Sequence, residues 1–447
     1  MSPHEASIIN PNVANTMSDQ RVAIVGAGIA GLHCASILIE NGIEVLIFDQ
    51  EKEVGGRMKT TRKDGFLLDH GFHVLQTAYP TASRVLDYKA LRCKAFQPGA
   101  LVVDSRKGKQ KIRRMADPWR QPIRGMMSAF NGFAGMADLL RVAQLRREVV
   151  KGSIDSQFDG NDATTMEWLH SKGFSESMIQ RFFLPLFSGI FLESDLRTNE
   201  RMFRFVFRMM SKGKMVLPAE GIGSVPEKMV EQIGNDRLRL GVRISGIDEG
   251  AVRFRGEAHR FDTVVKAFSK PIEEGLTRSV WTMHLDAEKA PFRSKHILLN
   301  GNLSEPSSLI THVAVPSNVQ SSYAPDGRSL VTVTIVGDRV TAAGIQEPSG
   351  IEAAARDELG RWFGDGTVST WRTLDVNCVE HALPEIGAGM RLTNQPRQGE
   401  SGVIECGDYL LHGSVEGALL TAEKAAQEII EKLKNPTSSN QQPMRRF

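Results

Sequence analysis

The sequence predicts an α/β protein of two lobes, and three observations carry that expectation. The segment from Arg21 to Asp49 reads strand, glycine turn, helix, strand. Short apolar runs recur near Leu238, Thr263 and Leu330. The chain, at 447 residues with 41% apolar side chains, exceeds what one hydrophobic core usually serves and has the apolar mass to fill two.

Val22 to Val25 is an apolar run stopped by a glycine turn, as expected of a buried strand. From Ile29 to about Glu40 the spacing predicts a helix, which Gly42 closes, and Glu44 to Phe48 returns as a second strand to complete one βαβ-type unit. A helical, mixed region is expected from about Phe130 to Lys212. RLRLGVRISGI, HRFDTVVKAF and SLVTVTIVGD read as strands. GALLTAEKAAQEIIEKLK, without proline and without glycine after Gly417, is the last helix. Residues 1–19 and 435–447 read as disordered tails, with Met17 a second candidate start.

Composition removes several function classes. The 55 basic and 52 acidic residues leave a net charge of +3, too little field to grip nucleic acid. Cys34, Cys93, Cys378 and Cys406 form no CxxC pair, so neither a zinc site, a redox dithiol nor a secreted disulfide framework is expected, and no metal is assigned. No readable secretory or transit segment and no long uncharged apolar run is present, so the expectation is a cytoplasmic protein. The stretch Ser105 to Gly125 is rich in Lys and Arg with a single Asp, and reads either as a solvated loop or as a seat on an anionic membrane surface.

The chemistry begins at Gly26, Gly28 and Gly31, a GxGxxG that follows a strand and opens a helix. The first glycine permits the turn and the second lets backbone approach a pyrophosphate. The third lets helix and strand pack, and the phosphates sit at the positive end of the helix. Asp49 ends the next strand, placed to accept from ribose hydroxyls. This is the signature of a Rossmann-like adenine-dinucleotide domain, open between nicotinamide and flavin. A second turn, EVGGRMKT, adds Gly55 and Gly56, which leave room, and Arg57, whose fork suits phosphate.

GxGxxG, the acid, GGR and then GFLLDHGFHVLQT together resemble the FAD flavoprotein superfamily of amine oxidases, protoporphyrinogen oxidases and phytoene desaturases. LRLGVRISGI resembles the segment in which a branched residue, here Ile244, holds the adenine through its backbone. Lys266 stands where the superfamily usually has an apolar residue. VIECGDYLLHGSVEGALLTAEKAA resembles the closing motif, with Gly407 and Asp408 before a helix at Val415. Asp408 would accept from a ribityl hydroxyl, and the helix end, with Ala418 in its first turn, would favour a reduced flavin.

The resemblance implies one non-covalently bound FAD, held by these residues with Ala30, Gly71 and Phe72. It implies a discontinuous FAD-binding domain (20–86, 216–270 and 371–434) and a mixed α+β substrate domain (87–215 and 271–370). No second fingerprint for a nicotinamide cofactor is present. His73 and His381 are candidate proton acceptors, each also readable as a structural histidine. Trp371 reads as core or as half of an aromatic cage. Amine oxidases of the superfamily place a lysine by the flavin on a strand that aligns with VWTMHLDAE, where this chain has His284 and no lysine.

The reading that results is hydride abstraction from an apolar substrate, desaturase-like or protoporphyrinogen-oxidase-like, with oxygen or quinone as electron acceptor. The Phe, Met and Leu side chains of RFFLPLFSGIFLE and RMFRFVFRMM are candidate walls of an apolar tunnel or a helical core. The alternatives are a flavin amine oxidase and a GDP-dissociation-inhibitor-like prenyl-binding module without flavin.

Overall fold

The computed structural model describes residues 20–105, 110–116, 120, 135–158, 162–248, 250–269, 277–387 and 403–434. Its first sheet has five parallel strands in the order Leu238–Leu240, Glu44–Asp49, Arg21–Val25, Thr263–Lys266, Ile404–Glu405. Val22, Ala23, Ile24, Val45 and Ile47 are fully buried, because a parallel strand between two covered faces needs apolar side chains on both sides. One face is covered by the helix Ile29–Glu40, the helix Ser224–Ile233 and the closing helix Val415–Lys434. The other is covered by the three-stranded meander 246–260, through Phe48 and Val252.

Segments more than 380 residues apart in sequence thus meet at one sheet, and its strand ends gather the glycine turns and Gly407 on one side. RLRLGVRISGI is not one strand. It breaks at Gly241, whose φ of +69° suits glycine, into Leu238–Leu240 and Gly246–Asp248.

The second sheet has seven strands, in the order 372–384, 277–287, 329–336, 312–314, 297–300, 100–104, 111–115. Its two faces differ in chemistry. Trp281, Met283, Leu285, Val331, Val333 and Ile335 alternate onto one face and join the helix Pro348–Phe363 in an apolar core. Thr282, His284, Thr332, Thr334 and His312 alternate onto the other, and all are buried.

The strand Arg372–Pro384 pairs along Thr277–Ala287 in this sheet, so the expected boundary at 371 is corrected: 372–384 belongs with the second lobe by pairing. Trp371 is 3% exposed among Trp362, Phe363 and Val368, which corrects the cage reading.

Helices Met136–Val150, Thr165–Ser171, Leu184–Phe191 and Glu200–Lys212 complete the lobe. The Phe-rich segments divide by face: Phe183, Phe187, Phe191 and Phe203 form the helical core, while Leu186, Ile190, Val206, Met209 and Met210 look into a cavity.

Arg278 joins these helices to the sheet. It is 8% exposed, donates to the Phe191 carbonyl and Thr198 Oγ1 at 2.7 Å, and pairs with the buried Glu193 at 2.9 Å. Burial raises the Glu193 pKa while Arg278 and Thr198 lower it. Arg278→Met would leave that carboxylate unpaired, so urea unfolding is expected to show a loss of about 3–5 kcal/mol. Adding Glu193→Gln should recover part of it.

Candidate functional site

A cavity of about 530 Å³ lies where the two lobes meet, with walls from both. Its first end is built by the two glycine turns. Gly26 has φ +115° and donates its N–H to the Phe48 carbonyl at 2.7 Å; a Cβ there would lie 2.8 Å from the Ala267 carbonyl oxygen. A Cβ on Gly31 would lie 2.0 Å from the Gly26 carbonyl oxygen, so this glycine packs helix against strand beneath the cavity rather than lining it. Gly28 is different: nothing stands within 4 Å of where its Cβ would be, and it faces the cavity.

Gly28 and Gly55 form an isolated parallel bridge, and the Gly55 N–H donates to the Ala27 carbonyl at 2.9 Å. Asp49 accepts from the Ala27 N–H at 2.7 Å and the Glu51 N–H at 2.9 Å, which fixes the turn to the strand end. The helix Ile29–Glu40 starts with no side-chain cap and no acid in its first turn, so its N–H groups and positive end are offered to the cavity. An open Gly28, an uncapped helix end and a carboxylate at the strand end fit a pyrophosphate-bridged adenine dinucleotide.

Of the residues expected from sequence, Gly26, Gly28, Ala30, Asp49, Gly55, Gly56, Arg57, Phe72, His73, His381, Gly407, Asp408, Val415 and Ala418 line this cavity. Ile244 does not; it packs against the cluster of Ala23, Phe48 and Val252. Gly71 does not either: its φ of +88° turns the chain so that His73 reaches the wall. Arg57 lines the cavity and also joins segments: its guanidinium donates to Asp408 Oδ1 and, at 2.9 Å, to the Ala382 carbonyl, so part of its fork clasps the closing motif and the 381–384 segment. Charge attraction to Asp408 raises the Arg57 pKa.

The closing helix is capped by Ser414 Oγ, which accepts the Gly417 N–H at 3.0 Å. Glu416 turns away to accept from the Thr81 and Ala82 N–H groups at 3.0 Å, capping the helix Pro80–Val85. Lys266, the departure from the superfamily's apolar residue, ion-pairs with Glu405 at 3.0 Å. The Tyr409 hydroxyl donates to the same carboxylate at 2.9 Å, and Tyr409 lines the cavity.

Titratable groups stand in the cavity wall and just behind it. His73 donates Nε2–H to the His70 carbonyl at 2.8 Å, leaving the lone pair on Nδ1, and burial pushes its pKa down to about 4. His284 donates to the Asp69 carbonyl at 3.0 Å and burial also takes it to about 4. His381 is exposed and its Nδ1 meets Thr277 Oγ1 at 2.9 Å. Asp69, which sequence reasoning missed, accepts from Thr60, the Ile222 N–H and the Tyr323 hydroxyl at 2.6, 2.9 and 2.8 Å. It ties both lobes together, and burial pushes its pKa up to about 6.

The far end is apolar, with Leu186, Ile190, Val206, Met209, Ile297 and Leu299 in its walls. One side chain breaks the pattern. His312 is 4% exposed, stands edge-on to Phe72 at 5.0 Å between centroids, and has no partner at Nε2 among the described residues. Leaving a buried polar group unpaired costs about 1–3 kcal/mol. Its signal was present in sequence as the alternation of Thr332 and Thr334 with Val333 and Ile335, which marks a polar face beside an apolar one.

The basic stretch expected at a membrane lies partly outside the described residues. Within them, Arg113 pairs with Asp104 at 3.0 Å and Arg120 donates to carbonyls of Met210, Ser211 and Gly213, so both point at protein. Among the described residues no helix is long and apolar enough to cross a membrane, and no group of three or more metal-ligating side chains occurs.

Comparison with known proteins agrees with this geometry. The sequence profile of the family described as flavin-containing amine oxidoreductase matches residues 29–430. Protoporphyrinogen oxidase 2, chloroplastic/mitochondrial, of Arabidopsis thaliana is 36% identical over 82 residues, 18% of this chain and 16% of that protein. A 4,4'-diapophytoene desaturase of Staphylococcus haemolyticus (strain JCSC1435) is 44% identical over 71 residues, 16% of this chain and 13% of that one. The matched region therefore spans less than a fifth of either relative's length.

Among solved structures, cyclohexylamine oxidase from Brevibacterium oxydans IH-35A has a TM-score of 0.66 at 15% identity, covering 93% of this chain and 100% of that one. A putative protoporphyrinogen oxidase from Exiguobacterium sp. 255-15 gives 0.67 at 15% identity, with the same coverage. At such identities the structures share the fold.

Proposed function

The chain belongs to the flavin-containing amine oxidoreductase family, and on that premise we propose that it is an FAD-dependent oxidoreductase that takes a hydride from an apolar organic substrate. The observation that carries the reading is the single cavity with two chemistries, a glycine-and-helix-end cradle continuous with a wall of Leu, Ile, Val and Met. FAD, when bound, supplies the hydride acceptor.

The protein's own residues do the rest. The Gly28 and Gly55 turns would admit a pyrophosphate, Asp49 would offer acceptor lone pairs at the strand end, and the helix end at Ile29 would stabilise negative charge. Arg57 and Asp408, paired, hold the first and last motifs in register, and the closing helix presents its positive end beside them. No covalent link is proposed, since Cys406 is fully buried between strand and helix rather than facing the cavity. Apolar side chains exclude water and position the reacting carbon. His73, neutral and with Nδ1 unprotonated, is the nearer of the two histidine candidates to a buried proton acceptor.

A substrate that is not an amine is favoured by the lining: no lysine is among the described residues of the cavity wall. Electron transfer onward to oxygen or quinone belongs to the same reading.

Purified protein is expected to be yellow and to release FAD on denaturation. Anaerobic mixing with polyenes or porphyrinogens should bleach the flavin band, while polyamines should leave it oxidised. Release of FMN or a nicotinamide dinucleotide instead, or bleaching by polyamines alone, would overturn the proposal.

A further inference from the structure

His312 has a setting that a purely structural histidine does not explain. Three histidines occupy the buried polar side of the lobe contact. His73 and His284 each donate to a backbone carbonyl, whereas His312 Nε2 has no partner among the described residues. Strand register places His312 opposite Thr334, Thr334 opposite Thr282, and Thr282 opposite Asn377, so these four side chains form one row on one face. Each contributes a buried polar atom without a partner among the described residues: Nε2, Oγ1, Oγ1 and Oδ1. The row ends in the imidazole, whose Nε2 is sealed within the row and whose Nδ1 and Cε1 edge faces Gly189 in the cavity wall.

The facing helix makes room for the ring. Gly189, also in the cavity wall, would place a Cβ 2.6 Å from His312 Nδ1, so any larger residue would collide with the imidazole. Around it stand Leu186, Ile190, Ile297 and Leu299, none of which offers a hydrogen bond from its side chain.

We propose that His312 is a specificity-determining residue, and that the substrate is an apolar molecule carrying an uncharged oxygen, a hydroxyl or a carbonyl, that hydrogen-bonds to this imidazole. The inference rests on the reading of the cavity as the substrate compartment of a flavoenzyme, and it narrows that reading. A neutral imidazole both donates and accepts, and in an apolar cavity such a bond is strengthened. The group must be uncharged because the charged residues of the cavity wall, Asp49, Arg57 and Asp408, all lie at the dinucleotide end. A pure hydrocarbon offers the imidazole edge in the wall no bond, so among apolar substrates a site that holds His312 favours the oxygen-bearing one.

The test uses two probes of matched shape, para-propylphenol and para-propyltoluene, titrated calorimetrically into the FAD-loaded protein after its flavin content has been measured. Wild-type protein should bind the phenol about tenfold or more tighter. His312→Phe should bring the ratio near one without lowering the melting temperature, since it removes an unpaired polar group, and His312→Gln should keep most of the preference. If His312→Phe does not fold, the wild-type ratio and His312→Gln still decide. Equal affinities in flavin-replete wild type, or an unchanged ratio in His312→Phe, would sink this inference while leaving the flavoenzyme reading intact. Protein that takes up no flavin would remove the reading beneath it.

Discussion

Gly28→Val is expected to yield a folded but colourless protein and Gly31→Val one that does not fold, although the two residues stand three apart in one motif. The difference is in what a side chain would meet. At Gly28 nothing stands within 4 Å of a new Cβ, so the fold has no objection and the isopropyl group instead fills the space facing the cavity. Flavin retention should fall by about a hundredfold or more, as close backbone approach to the pyrophosphate is lost.

At Gly31 the new Cβ would lie 2.0 Å from the Gly26 carbonyl oxygen and 3.1 Å from Ala267 Cβ. That oxygen belongs to the turn that closes the central strand, pinned by the Gly26 N–H bond to the Phe48 carbonyl, and cannot step aside, so the cost exceeds the roughly 1–3 kcal/mol of ordinary overpacking. Far-ultraviolet circular dichroism and urea midpoints read the fold, and the ratio of flavin to protein absorbance reads the cofactor. A Gly28→Val protein with full flavin occupancy would count against the placement of the dinucleotide.

Stability is expected to fall steeply as pH drops from 6.5 to 4. Burial pushes His73, His284, His312 and His412 each down to about 4, against 6.5 in the unfolded chain. In that window the unfolded state binds these protons and the native state does not, so unfolding takes up protons and acid favours it. Each such histidine contributes about 1.4 kcal/mol per pH unit.

Asp69 works the other way. Its native pKa, about 6, lies above its unfolded value of 3.8, so the native carboxyl is protonated first and acid offsets about one histidine's effect. Together these five groups contribute a slope near pH 5 of about three protons, or about 4 kcal/mol per pH unit. Urea midpoints at pH 7.5, 6 and 5 measure it. His412 stacks on Phe158 with ring centroids 5.9 Å apart and lies 4.7 Å from Phe205, so His412→Phe should fit and flatten the slope by about one proton. A midpoint that does not move between pH 7.5 and 5 would show these imidazoles to be solvated.

The glycine-turn end of the cavity was legible in sequence because its requirements are local. A tight turn, a close approach and a helix start each restrict residue type at fixed spacing, so Gly26, Gly28, Gly55, Gly56 and Asp49 could be brought to one end of a cavity, and Gly31 beneath it, from the order of residues alone. The closing motif at Gly407 and Asp408 was legible for the same reason. Arg57 shows the limit. Its guanidinium suits a phosphate or a carboxylate equally, and only the fold brings Asp408 within its reach across 351 positions.

Tertiary pairing likewise decided where Arg372–Pro384 belongs, since a strand's sequence does not name its neighbour. It decided that Trp371 is core, and that Thr282, Thr334 and His312 form a buried row. The sequence by itself determined that an α/β dinucleotide-binding fold is present, because backbone geometry constrains residues one turn apart. What the far end of the cavity recognises was left to the tertiary structure, because burial and hydrogen-bond partners are properties of neighbours brought together only when the chain folds.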